Sequence, residues 1–320
     1  MLSLPDLKEK QVLFVKTSQG VENNLKIIND NIVLLKDGKV QNRLSCSKAL
    51  AVFIVGECTL TSALIKKSMD YGVSIFLLRD SLENYTSMDS KADGNYLLRM
   101  KQYALRENDE LALAKNIVKN KIRNDLKLLK SAGKISSEEY KAQKKDMMEK
   151  IEEAAEEKEL LGIEGSFAKK FFSLYFEELD WYRRMPRTKI DPYNVLLDIG
   201  YTFMFNYVDC LLNLFGFDTY KGFYHKLYFQ RKSLSCDMVE PLRCLIERKL
   251  LTANHLGQID KKDFKKINGR YVLSYDKSSK YAKIFLDEIM DNKEEIYLYI
   301  KQFYRHMMFE DAEFPDFKIR

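Results

Sequence analysis

Three short segments carry the side chains best suited to chemistry: Gly162-Ile163-Glu164-Gly165, Gly222-Phe223-Tyr224-His225 and Asp237-Met238-Val239-Glu240. Acidic oxygens and one imidazole, brought together from separate helices, make a divalent-metal site. Each piece also has a plainer reading. Glu164 is an acid of the kind favoured near the positive end of a helix. His225 is one of three histidines, with His255 and His306, and a lone histidine is usually structural or exposed. Asp237 and Glu240 share a helix face at i, i+3, but the same spacing satisfies an N-terminal capping box. Pro241 supports a helix start there, since proline is tolerated in the first turn. The two readings coexist if Asp237 caps and Glu240 binds metal.

The chain has 320 residues, with 53 Lys+Arg against 47 Asp+Glu and a net charge of +6. That mild excess permits nucleic-acid binding without requiring it. Basic groups at Arg183-Arg184-Met185-Pro186-Arg187 and Arg231-Lys232 offer phosphate clamps. Lys261-Lys262 and Lys265-Lys266 read better as solvated surface. The five cysteines show no metal-finger spacing, which points to reduced thiols in a cytoplasmic protein. The N-terminus lacks a signal-peptide pattern, and no apolar run is expected to approach membrane-spanning length.

The elements that must position these residues fall into two parts, giving an α+β chain. Residues 1–82 form a small β-rich N-terminal domain. Val12 to Val15, Ile32 to Lys36, Ala51 to Val55 and Val73 to Leu78 are strand-like. Asp37-Gly38 is a tight hairpin turn, and a helix capped at Thr59 or Thr61 runs to Tyr71, ended by Gly72. Residues 83–95 are polar and read as a linker. Residues 96–320 form a larger helical domain. Ala112 to Leu129 has Ile117, Val118, Ile122 and Leu126 at helical spacing. Ser136 starts a Lys/Glu-rich helix through Leu160. Gly162 and Gly165 punctuate the chain around Glu164, ahead of an aromatic helix from Phe167 to Trp181. Asp191-Pro192 opens an apolar helix from Tyr193 to Phe215, the expected centre of the core. A strand-like Arg270 to Leu273 precedes helices at 279–291 and 293–309.

The order of these motifs resembles the Cas1 family, the endonucleases and integrases of CRISPR adaptation. The resemblance spans nearly the whole chain. It rests on Gly56-Glu57-Cys58-Thr59-Leu60-Thr61, Gly72-Val73-Ser74-Ile75-Phe76, Asn95 with Arg99-x-x-Gln102-Tyr103, and Gly162-Ile163-Glu164-Gly165. It continues through Pro186-x-x-x-x-Asp191-Pro192-x-Asn194, Gly222-Phe223-Tyr224-His225 and Ser233-Leu234-x-x-Asp237-x-x-Glu240. The chain departs from the family after Glu240, where Pro241-Leu242-Arg243-Cys244 replaces an acidic or apolar residue followed by Arg-Pro.

The resemblance implies that Glu164, His225 and Glu240 are both catalytic and metal-binding, with Asp237 as a nearby second carboxylate. Mg2+ or Mn2+ is the implied cofactor; a nitrogen ligand suits manganese somewhat better. The implied reaction is transesterification, in which a 3′-hydroxyl of a short DNA fragment (a spacer) attacks a phosphodiester at a CRISPR repeat end. Arg183, Arg184 and Arg243 are candidates for DNA phosphate contacts. The implied partners are double-stranded DNA, a second copy joined through the β-rich domain, and the small protein Cas2. Two other classes stand beside this one. The same ligands would serve a metal-dependent nuclease for branched or repair-intermediate DNA, and a non-catalytic helical nucleic-acid-binding protein would need no metal.

Overall fold

The computed structural model describes residues 3–18, 20–88, 95–179, 181–186, 188–225 and 231–320. After helix α1 (Leu4–Glu9), the N-terminal part holds strands β1 (Gln11–Lys16), β2 (Asn23–Ile28), β3 (Asn31–Lys36), β4 (Lys39–Ser45), β5 (Ala49–Val55) and β6 (Thr59–Leu60). Helix α2 (Ser62–Asp70), β7 (Ser74–Leu78) and β8 (Asn84–Met88) complete it. One sheet has the order β4-β3-β2-β6, the other β1-β5-β7-β8, with β1, β5 and β7 parallel and β8 antiparallel. The expected hairpin joins β3 to β4. Asp37 and Gly38 both have positive φ, +46° and +74°, as a two-residue turn matched to strand twist requires.

β5 is buried along its whole length because it has protein on both faces. Val52 and Ile54 face the core between the two sheets, while Ala51, Phe53 and Val55 face the helices. Phe53 stacks on Phe76 at 4.9 Å between ring centroids and meets Phe203 edge-on at 5.2 Å. Sheet and helices therefore share one continuous core. The segment expected as a linker is corrected at its start: Asn84–Met88 is an edge strand paired to β7. Its polar sequence fits an edge, where one face meets water. Residues 89–94, the rest of that linker except Glu83 and Asn95, lie outside the described residues, as does Arg187.

The remaining elements are α3 (Tyr96–Tyr103), α4 (Glu107–Ser131), α5 (Ser137–Glu153), α6 (Glu157–Tyr175), α7 (Pro192–Phe215), α8 (Ser233–Val239), α9 (Arg243–His255), the hairpin β9 (Phe264–Ile267) and β10 (Arg270–Leu273), α10 (Ser278–Asp291) and α11 (Lys293–Met308). Three expectations change. α5 ends at Glu153 rather than Leu160. Gly162 and Gly165 do not break the chain; both lie inside α6, which ends at Tyr175 before Trp181. Trp181 then folds back to pack on Phe172 and Phe176.

α7 is long and apolar enough to span a membrane, against the expectation that no run would be, but most of it is buried within the protein. It is apolar all round because neighbours surround it. Asp191 caps its start by accepting from the Asn194 amide at 2.8 Å, and Gly216, at φ +89°, closes it in the left-handed region. Within it, Gly200 lets Ile246 and Phe285 approach to where a side chain would stand.

Candidate metal centre

Four separate segments meet at one point. α4 brings Lys121, α6 brings Glu164, the loop after α7 brings Tyr224 and His225, and the run from α8 into α9 brings Asp237, Glu240 and Arg243. The loop is held from outside by the buried Gln102 of α3. Its amide donates to the carbonyls of Asp218 and Lys221 at 2.7 and 2.6 Å and accepts from the Asp218 N–H. Arg99 adds a bond to the Gly216 carbonyl at 3.1 Å. The Asn95–Tyr103 motif thus braces the segment that carries His225.

Asp237 is fully buried and does not cap a helix N-terminus, correcting the capping-box alternative; it lies in the last turn of α8. Its Oδ2 accepts from the N–H groups of Phe223 and Tyr224 at 2.8 and 3.1 Å, and its Oδ1 from the His225 N–H at 2.8 Å. The same Oδ1 lies 2.7 Å from His225 Nδ1. The carboxylate so folds the loop and turns the imidazole, leaving Nε2 directed at Glu240 Oε1, 3.8 Å away. Gly222 is required by this closeness: a Cβ there would stand 2.6 Å from Asp237 Oδ2 and 2.8 Å from the Ser233 backbone. Pro241 does not disturb the arrangement. Glu240–Leu242 form a single 3-10 turn joining α8 to α9, so the proline sits where no helical N–H is needed.

Glu164 and Glu240, from α6 and the 3-10 turn, face each other across the Lys121 ammonium. Lys121 Nζ lies 2.7 Å from Glu240 Oε2 and also bonds Glu164 Oε1. The other oxygens are taken too. Arg243 pairs with Glu240 Oε1 at 2.7 Å, and the Tyr224 hydroxyl donates to Glu164 Oε2. Burial raises the Glu240 carboxyl, but Arg243, Lys121 and His225 outweigh it and hold it down at about 2. Burial likewise disfavours the charge on Lys121, and Glu164 and Glu240 more than restore it. The Tyr224 hydroxyl is pushed far up, by burial first and then by the Glu164 charge, so it stays a proton donor.

The structure brings Glu164, His225 and Glu240 together, with Asp237 behind the imidazole. Among the described residues, no three His, Cys, Asp or Glu side chains meet the geometry of a metal site as they stand. The donors nonetheless fit a hard divalent ion: two carboxylates converge on a single positive charge, with an oriented imidazole nitrogen beside them. Lys121 and Tyr224 were missed from sequence. The signal for Lys121 was present: it sits beside Asn120, Asn124 and Asp125, polar side chains buried among the apolar positions of α4, and is itself half-buried.

The three arginines part company. Arg183 packs on the exposed Tyr182 ring at the surface. Arg184 is tied to Asp198 at 2.5 Å and to Asn194, so it builds the loop. Arg243 is part of the site, over the Tyr201 ring at 4.8 Å. A cavity of about 520 Å3 opens beside it, lined by Arg184, Lys189, Arg270, Tyr201 and Tyr271 as well. His255 pairs with Glu178 and His306 with a backbone carbonyl, both away from the centre.

The family model for CRISPR associated protein Cas1 matches residues 17–287. A CRISPR-associated endonuclease Cas1 of Thermodesulfovibrio yellowstonii is 28% identical over 252 residues, covering 74% of this chain and 79% of the relative. One from Chlorobaculum tepidum is 29% identical, covering 80% and 79%. Among solved structures, a Cas1 protein from Thermotoga maritima superposes with a TM-score of 0.84 at 19% identity, covering 94% of this chain and 98% of that one. A casposase bound to integration product superposes with a TM-score of 0.81 at 19% identity, covering 96% and 93%. With the family model matching most of its length, this chain belongs to the Cas1 family of CRISPR-associated proteins.

Proposed function

We propose that this protein is a divalent-metal-dependent DNA integrase of CRISPR adaptation, joining 3′-hydroxyl ends of short DNA fragments to repeat ends by transesterification. The observation that carries the reading is the convergence of Glu164 and Glu240 on one positive charge, with His225 Nε2 3.8 Å from Glu240 Oε1, in a chain of the Cas1 family. Those three side chains would hold Mg2+ or Mn2+. When bound, the ion supplies charge neutralisation at the phosphate and favours the alkoxide form of the attacking oxygen. Asp237 fixes the imidazole through Nδ1, so that Nε2 is the nitrogen offered. The cavity beside Arg243 is lined by Arg184, Lys189 and Arg270 as well as by Glu83 and Asp198, and the cations there favour phosphate. No side chain is needed as a covalent nucleophile, because the DNA hydroxyl plays that part.

Double-stranded DNA and Cas2 are the proposed partners, with a second copy of the chain joined through the β-rich part. Solved relatives include a casposase bound to integration product, a Cas6-RT-Cas1–Cas2 complex and a Cas1–DNA complex. Cleavage of branched or repair-intermediate DNA is the alternative, since water in place of the 3′-hydroxyl gives hydrolysis at the same centre. The test is joining of labelled fragments to a repeat-bearing plasmid, with and without manganese, by wild type and His225→Ala. Manganese-dependent joining that His225→Ala loses is the expected result. Abundant metal-independent joining by both proteins ends the proposal, and cleavage without joining favours the alternative.

A further inference from the structure

We infer that Lys121 is a resident counter-ion of the metal centre, which a divalent cation must displace in order to bind. The inference rests on the metal reading above and adds a specific competitor to it. Every oxygen of the two carboxylates already has a protein donor: Lys121 on Glu164 Oε1 and Glu240 Oε2, Arg243 on Glu240 Oε1, Tyr224 on Glu164 Oε2. Among the described residues, only the Lys121 ammonium touches both carboxylates. An ion ligated by both would need that same space and could not share it with a positive charge. Two opposed carboxylates, one nearly fully buried, would repel strongly without a cation between them. Lys121 therefore holds the two carboxylates together in the absence of a metal and sets the cost of loading one. Its side chain is 12% exposed, so it is not sealed off from solvent.

The experiment titrates manganese into the full chain without DNA, reading free Mn2+ by electron paramagnetic resonance, for wild type, Lys121→Gln and Glu240→Gln. Lys121→Gln should bind manganese roughly tenfold more tightly, since one like charge within a few ångströms of the ion is removed. Unchanged or weaker binding overturns the inference. The Glu240→Gln arm separates this from the metal reading itself. If wild type and Glu240→Gln bind alike, the metal centre is wrongly placed. If Glu240→Gln loses binding while Lys121→Gln matches wild type, only the role given to Lys121 fails. Should Lys121→Gln not fold, wild type decides alone: acylation of Lys121 by an amine-reactive ester, read by mass spectrometry, should rise at saturating Mg2+. No rise overturns the inference.

Discussion

Replacing Asp237 by asparagine changes one oxygen to an amide nitrogen and leaves the volume nearly unaltered. In the native structure Oδ2 accepts from two backbone N–H groups, and Oδ1 accepts from one while facing His225 Nδ1. Whichever way the amide sits, its NH2 group confronts donors, so at least one N–H is left buried without an acceptor. A hydrogen bond to a charged acceptor contributes about 1.5–3 kcal/mol net, and an orphaned buried donor costs a similar amount. Allowing for some loop relaxation, the substitution should destabilise by about 3 kcal/mol. For a chain of this size that corresponds to a fall in Tm of roughly 4–5 °C. The damage should be concentrated at the loop. Amides of Phe223, Tyr224 and His225 should exchange roughly a hundredfold faster, as a local opening of that free energy implies. Thermal melts and hydrogen exchange followed by mass spectrometry measure both. A Tm within about 1 °C of wild type, with exchange at 223–225 unaltered, would refute the claim that this carboxylate builds the loop.

Four further outcomes follow from the same geometry. Gly222→Ala should lower Tm by several degrees because its Cβ would collide with Asp237 and the Ser233 backbone. Gly162→Ala and Gly165→Ala should each raise stability by about 0.5–1 kcal/mol, since both positions are helical and open; destabilisation by either would contradict an unbroken α6. Phe203→Ala should cost about 3–5 kcal/mol in chemical denaturation, because its ring joins the parallel sheet to α7. Glu240 should give a signed pH dependence. Its carboxyl is lowered from 4.5 to about 2, so its stabilisation is fully present above pH 4.5 and is lost as pH falls toward 2. The difference in Tm between wild type and Glu240→Gln should shrink over that window, and a constant difference would contradict the pairing.

Local rules carried a good deal of this structure. The hairpin at Asp37-Gly38, the Thr61 and Ser136 caps and the stop at Gly216 each depend on a few neighbouring residues, and each forms as expected. Where sequence reading went astray, a local signal was outvoted by distant packing. Gly162 and Gly165 look like breaks, yet a helix anchored by Leu160, Phe167 and Phe171 in the core absorbs them. Asn84–Met88 looks like a linker until β7 supplies its hydrogen-bonding partner. Asp237 fits a capping box by spacing, but its carboxylate is claimed by a loop twelve to fourteen residues earlier.

From the sequence alone came the ligand types, the order of motifs and the division into strands followed by helices, because composition and short-range periodicity encode them. Tertiary structure decided what stands between the ligands. Lys121 is 43 residues from Glu164 and 119 from Glu240 along the chain, and only packing of α4 against α6 and the 3-10 turn sets its charge between theirs. Spacing in one dimension names the side chains able to hold a cation; the folded core determines which of their oxygens are already spoken for.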